Sequence, residues 1–415
     1  MSDAPDEFTR LERIGAAAGT DAMFEALAES LARRNRWHAL FDVRLMQARV
    51  AVGLPPTGQL GDLPAAVRDD LDSRSLAACR EVGWPLLDAG HVAAAWMYLR
   101  AAAPAGEVAA RLAHLAAGSA TAGDDEQAAR LADDILSVAL WEGVDPALGI
   151  SLLLRTQGTC NAVTAYEQAV SRLPAARQQP AAAVLVAHLH GEVAQGLATG
   201  DSATGAAPAS TPILDRLAAA DAAGAGPGLH CDVSHLQSVL RIARVCSDEP
   251  TLSRAWELAC YACRLPAEIV YPGEPPFEDV GLASRLFFAA QLGHDVAEAV
   301  THFRRAAALA DAGDSLPADV LVLLLWRLGR PAEALAAALA QPRDGGMPGI
   351  MHTTGMLPSL VELAAAAGDW QSLGRACRDR GDEITFAAAL AAERHQKVGN
   401  QCRQPPAQEP QPRDA

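Results

Sequence analysis

The sequence predicts an all-helical chain whose consecutive helices pair antiparallel and stack into an α-solenoid. Three observations carry this. Half of the 415 residues are hydrophobic but only 5% are aromatic, and the apolar share is mostly Ala and Leu, the residues with the best helix propensity. Runs of Val, Ile, Thr and aromatics in strict alternation, which a sheet needs, are absent from the sequence. The breaks between helical stretches are short, so neighbouring helices must fold back on each other.

Helical periodicity begins near Glu7 and recurs to about His395. Successive stretches are Thr20–Arg34, Ala39–Val52, Leu71–Val82, His91–Ala102, Glu107–Ala117 and Asp125–Leu140. Gly53-Leu54-Pro55-Pro56, Trp84-Pro85, Ala103-Pro104 and Gly123-Asp124 punctuate them. One long irregular region, 196–228, reads as an insertion around a short helix at Ile213–Ala220. It separates an N-terminal repeat region, 7–195, from a C-terminal one, 229–398. The Pro- and Gln-rich tail, 399–415, is expected to be disordered.

A pattern recurs in which a Gly closes one helix and a small residue follows five positions later. It reads Gly90 to Ala95 and Gly329 to Ala334; Gly368 to Leu373 keeps the spacing with Leu, and Gly293 to Ala299 adds one residue. Four and seven positions after such an Ala come an aromatic and another Ala: Ala299, Phe303, Ala306 and Ala162, Tyr166, Ala169, the latter followed by Pro174. These positions share a helical face: Ala admits a close neighbour, the aromatic fills the gap, and Pro ends the helix. The pattern resembles the second helix of the tetratricopeptide repeat. Gly293, Gly329 and Gly368 lie 36 and 39 residues apart, near that repeat's length of about 34. The resemblance covers about half the chain and implies a superhelix with a concave groove for a protein or peptide.

The net charge of −16 opposes nucleic acid and anionic lipid, and favours a basic or amphipathic partner. Met1-Ser2-Asp3-Ala4-Pro5-Asp6-Glu7 has no apolar core and does not read as a secretory signal. The most apolar stretch, Val320 to Trp326, is too short to span a bilayer. Eight scattered Cys suit reduced thiols and a cytoplasmic setting.

Four of the eleven His lie between 188 and 235. His188, His190, His230, Asp232 and His235, with Glu192 and Glu278 in support, are the residue types of a zinc, iron or manganese site, and the alternative function is a metal-dependent enzyme or metal-binding protein built on them. His188 and Glu192 share a helical face, as do Asp232 and His235; His188 and His190, two apart, cannot both chelate from one regular helix. Asp232 also reads as the N-cap of a helix over Val233–Val245. A second candidate is the stiff loop Tyr271-Pro-Gly-Glu-Pro-Pro-Phe-Glu-Asp279, whose Glu274, Glu278 and Asp279 could serve a cationic ligand or acid–base chemistry over a groove; it reads equally as an ordinary connection with Tyr271 and Phe277 as packing anchors. Cys160, and the Cys260/Cys263 pair with CxxC spacing, read as packing positions in helices.

Overall fold

The computed structural model of the protein describes residues 6–119, 126–199, 212–222, 228–311, 313–341 and 350–403. Every regular element among them is helical; there is no strand. No helix of the described residues is long and apolar enough to cross a membrane. The chain divides into two compact units, 1–153 and 154–415.

Unit 1 begins with α1 (Glu7–Arg33), which bends at Gly19 where φ is 89°, next to the expected start at Thr20. α2 (Trp37–Ala51), α3 (Ala65–Asp88), α4 (Val92–Ala102), α5 (Ala105–Ser119) and α6 (Glu126–Leu136) follow. α1 packs on α2, α2 on α3 and α3 on α4, as short connections require. Phe24, Leu40, Val82, Leu99, Leu112 and Ile135 lie in one apolar cluster. Arg44 of α2 reaches both neighbours, bonding Glu25 of α1 at 2.5 Å and Glu81 of α3 at 2.8 Å.

The break expected at Trp84-Pro85 is not a break. α3 runs through Pro85 to Asp88. Leu86 and Leu87, 4% and 1% exposed, hold this last turn in the core, and burial of about 1.5–3 kcal/mol each offsets the hydrogen bond that proline removes. A π-helical turn, Ser137–Trp141, leads to α7 (Pro146–Thr156).

Unit 2 contains α8 (Gly158–Ala165), a second π-helical turn at Tyr166–Val170, and the long α9 (Ala175–Thr199). α10 (Ile213–Ala222) falls where the insertion's short helix was expected; residues 200–211 and 223–227 of that insertion lie outside the described residues. α11 (Val233–Ile242) continues into a 3₁₀ turn, Ala243–Val245, and α12 (Glu249–Ala262) and α13 (Val280–Gln291) follow. Next come α14 (Val296–Leu309), α15 (Leu316–Arg327), α16 (Pro331–Ala340), the one-turn α17 (Ile350–Thr353), α18 (Leu360–Ala367), α19 (Trp370–Arg380) and α20 (Glu383–Arg403). The remainder of the tail expected to be disordered lies outside the described residues.

From α12 to α16 each helix packs on the next, whereas α9 touches α10, α11 and α12 together. The first small position of each repeated pattern is fully buried, whereas Ala169 and Ala306, seven positions on, are half-buried. Ala95, Ala162, Ala299, Ala334 and Leu373 are all 0% exposed. Gly329 and Gly368, both at φ 69°, close the preceding helices in the left-handed conformation that only glycine adopts cheaply. Phe277, Phe287, Phe288 and Phe303 interlock in the unit's core, with neighbouring ring centroids 5.6 to 6.0 Å apart.

Candidate functional site

The histidine cluster separates into independent local contacts, all in unit 2. His188 of α9 lies 3.2 Å from both Glu192 and Thr159 of α8. His190, two residues on, points elsewhere and lies 2.9 Å from Glu257 of α12, whose carboxylate also accepts the Ile213 amide at 3.0 Å. His230 precedes α11; its amide donates to the Tyr261 hydroxyl at 2.9 Å, and its ring fills the space that the absent side chain of Gly196 leaves. Asp232 caps α11, accepting from the Ser234 amide at 2.7 Å and the His235 amide at 3.4 Å. Among the described residues no group of three or more His, Cys, Asp or Glu is placed to hold a metal ion.

Of the thiols singled out by the sequence, Cys160 and Cys263 are exposed, and Cys260, like Cys231, is partly buried. Cys260 lies in α12 and Cys263 at its C-terminal end. Burial pushes Cys260 up to about 11 and Cys231 up to about 12, so both stay protonated and weakly nucleophilic near neutrality.

The loop from Tyr271 to Asp279 does border a cleft. Its volume is about 540 Å³, in the usual range for small-ligand sites. Gln237 of α11 ties the loop down by donating to the Tyr271 carbonyl at 2.5 Å. The loop closes on itself through Gly273 N–H to the Glu278 carbonyl, 3.0 Å, and Phe277 N–H to the Glu274 carbonyl, 2.7 Å. Of its three carboxylates only Glu274 lines the cleft. Asp279 caps α13 by accepting the Leu282 amide at 2.9 Å, and the Glu278 side chain lies outside the lining.

The cleft's two walls differ in character. One is a polar stripe on α11: Ser234, Gln237, Ser238 and Arg241, spaced three, four and seven apart on one face, followed by Arg244 in the 3₁₀ turn. The opposite face of α11 carries Leu236, Val239 and Leu240, all at most 1% exposed. The other wall is apolar: Leu316, Val320 and Leu323 of α15, again three to four apart, with Met351 and Met356. Phe277, Val280 and Phe287 complete the lining.

Two arginines meet at this turn with opposite fates. Arg327 of α15 is fully engaged: Nη1 donates to the carbonyls of Arg244 and Cys246 at 3.0 and 2.8 Å and to Gln291 Oε1 at 3.0 Å, and Nη2 donates to the Val245 carbonyl at 3.1 Å. That clamp fixes the backbone from which Arg244 projects. The Arg244 guanidinium has no hydrogen-bond acceptor among the described residues, and its Nε is wholly buried. It lies over the face of Phe277, 3.3 Å from the ring centroid. Burial lowers its pKa most, the neighbouring Arg241 lowers it further, and Glu274 opposes both. Arg241 is already neutralised by an ion pair with Glu167.

A hollow of about 640 Å³ in unit 1, lined by Arg36, His38, Pro85 and His91 among others, has no such unmet group. His38 bonds the Tyr98 hydroxyl at 2.7 Å, and Arg36 is exposed, with water for a partner.

Arg241 and Arg244 were not among the sequence candidates. The readable signal was the stripe itself, Ser234-x-x-Gln-Ser-x-x-Arg241, which places four polar residues on one face of an otherwise apolar helix. Met351 and Met356 gave no comparable signal. Comparison with known proteins finds no family model that matches the chain and no significant match among curated proteins.

Proposed function

We propose that this chain works by binding, as a tetratricopeptide-like helical-repeat scaffold, and that it takes a ligand in the cleft between α11 and α15. The observation that supports this most is a cleft with one polar and one apolar wall around a guanidinium that has no hydrogen-bond acceptor or ion pair among the described residues. A buried polar group without a partner costs stability, and such a cost persists where function requires it. Binding is favoured over covalent chemistry because the two thiols above are held protonated and Asp232, Asp279 and Glu257 are engaged in caps and an ion pair.

The test uses the full chain and the neutral dye Nile red, whose emission rises in apolar surroundings. Wild-type protein is expected to enhance the emission. Ser238→Trp, which projects an indole from the polar stripe into the cleft, is expected to abolish the enhancement without lowering the melting temperature. Equal enhancement by both proteins, or none by the wild type, would sink the reading.

A further inference from the structure

We infer that the cleft's ligand is an amphipathic monocarboxylate, with one carboxylate seated on Arg244 and an apolar body lying along Leu323 and the methionines. The inference rests on the cleft being a binding site, and adds the sign of the ligand's charge, the number of charges and the nature of the remainder.

The sign follows from Arg244. Arginine stays protonated in proteins, so the group is a cation, with its Nε shut off from water. Phe277 stabilises the positive charge through its ring face, but a ring face does not fill N–H donors. With Nε closed off, the two Nη groups are the donors left to a ligand. Side by side in one plane, they match the two oxygens of a carboxylate. Arg327 shows the alternative: a guanidinium whose role is structural has every neighbour it needs. Arg244 has none, although the same turn holds both.

The number of charges follows from the surroundings. Arg241 is spent on Glu167, and Glu274 stands on the cleft lining close enough to act on Arg244. One positive charge, partly offset, is available inside a chain of net charge −16. A dianion would meet about twice the repulsion from Glu274 and from the acidic surface that a monoanion meets, and one negative charge is enough to fill the two donors. The apolar remainder follows from the facing wall. Leu316, Val320 and Leu323 present one helical face, and two unbranched methionines adapt to irregular ligand shapes.

The experiment is isothermal titration of the full chain with decanoate, decanol and decyl phosphate, repeated with Arg244→Met, which keeps an apolar stem over Phe277. Decanoate is expected to bind the wild type more tightly than either other probe. Arg244→Met is expected to weaken decanoate about tenfold or more and to weaken decanol much less. Equal decanoate binding by the two proteins would overturn the inference, as would equal affinity of the wild type for decanoate and decanol. The latter comparison needs no variant and stands even if Arg244→Met misfolds. Decyl phosphate binding more tightly than decanoate would reject the monocarboxylate in favour of a phosphate. If Nile red binds and decanoate does not, the ligand class falls while the cleft stands; if Nile red fails to bind the wild type, the cleft itself falls.

Discussion

His190 Nε2 and Glu257 Oε2 lie 2.9 Å apart, joining α9 to α12, and the same carboxylate oxygen takes the amide that opens α10. His190, which the sequence offers as a metal ligand, is here one end of a three-helix tie centred on Glu257. Burial alone would raise the Glu257 pKa, but the hydrogen bonds from His190 and Ile213 and the nearby Arg254 outweigh it and hold the carboxyl below its ordinary value. A group whose pKa is lower folded than unfolded stabilises the fold above its unfolded pKa and loses that contribution as pH falls through the folded value. Wild-type stability is therefore expected to drop more steeply than that of Glu257→Gln below about pH 4. At neutral pH the variant is expected to be about 1 kcal/mol less stable. Urea unfolding across a pH series checks both, and parallel curves would refute the assignment.

Arg327 predicts the opposite behaviour to Arg244. Arg327→Met strands the carbonyls of Arg244, Val245 and Cys246 and is expected to cost about 3 kcal/mol. Arg327→Lys recovers only part, since one ammonium cannot spread its donors over four acceptors as the guanidinium does. Arg244→Met removes a charge that has no acceptor, and is expected to leave stability unchanged or raise it. Denaturant melts of the three variants decide; a larger loss for Arg244→Met than for Arg327→Met would reverse the roles given to them.

Gly273 is held to glycine by contact. A Cβ there would lie 2.2 Å from the Phe277 carbonyl oxygen and 2.8 Å from Val280 Cγ2. Because the nearest atom is backbone, Gly273→Ala must push the loop outward, moving Phe277 from beneath Arg244. The expected loss is about 1–3 kcal/mol, with loss of Nile red enhancement. Full enhancement with Gly273→Ala would separate the loop from the cleft's function.

Asp232 opens the helix that carries the cleft's polar stripe. Its side chain accepts from the Ser234 amide and hydroxyl at 2.7 and 2.5 Å, and those bonds hold its pKa below the usual Asp value. Asp232→Ala is expected to cost about 1 kcal/mol, whereas Asp232→Asn, an equally good cap, costs only a few tenths. If both substitutions lower the melting temperature alike, the carboxylate charge and not the cap is what matters.

Local patterning made much of this legible. Ala162, Ala299 and Ala334 were readable as close-contact positions because helical spacing and small side chains are properties of neighbouring residues, and the structure buries all three completely. Asp232 was readable as a cap for the same reason. The loop over a groove was also legible, since three prolines in nine residues cannot continue a helix. Its charge logic was not: three acidic residues suggested a cationic ligand, yet two of them face away and the cleft's unmet charge is an arginine 30 residues before Glu274. Likewise, His188, His190 and His230, all candidates for one site, met three different neighbourhoods. A helix turns 100° per residue, so His188 and His190 diverge.

Local sequence was enough for the helical class, for most of the breaks though not the one expected at Trp84-Pro85, and for several small residues at close contacts, because propensity, periodicity and capping act within a few residues. Tertiary contacts decided that Arg327 is clamped while Arg244 is left without an acceptor, that His190 meets Glu257, and that Met351 and Met356 line the same cleft as the polar stripe of α11. Those outcomes depend on which helices meet and on what burial then denies to water, and no local pattern carries that information.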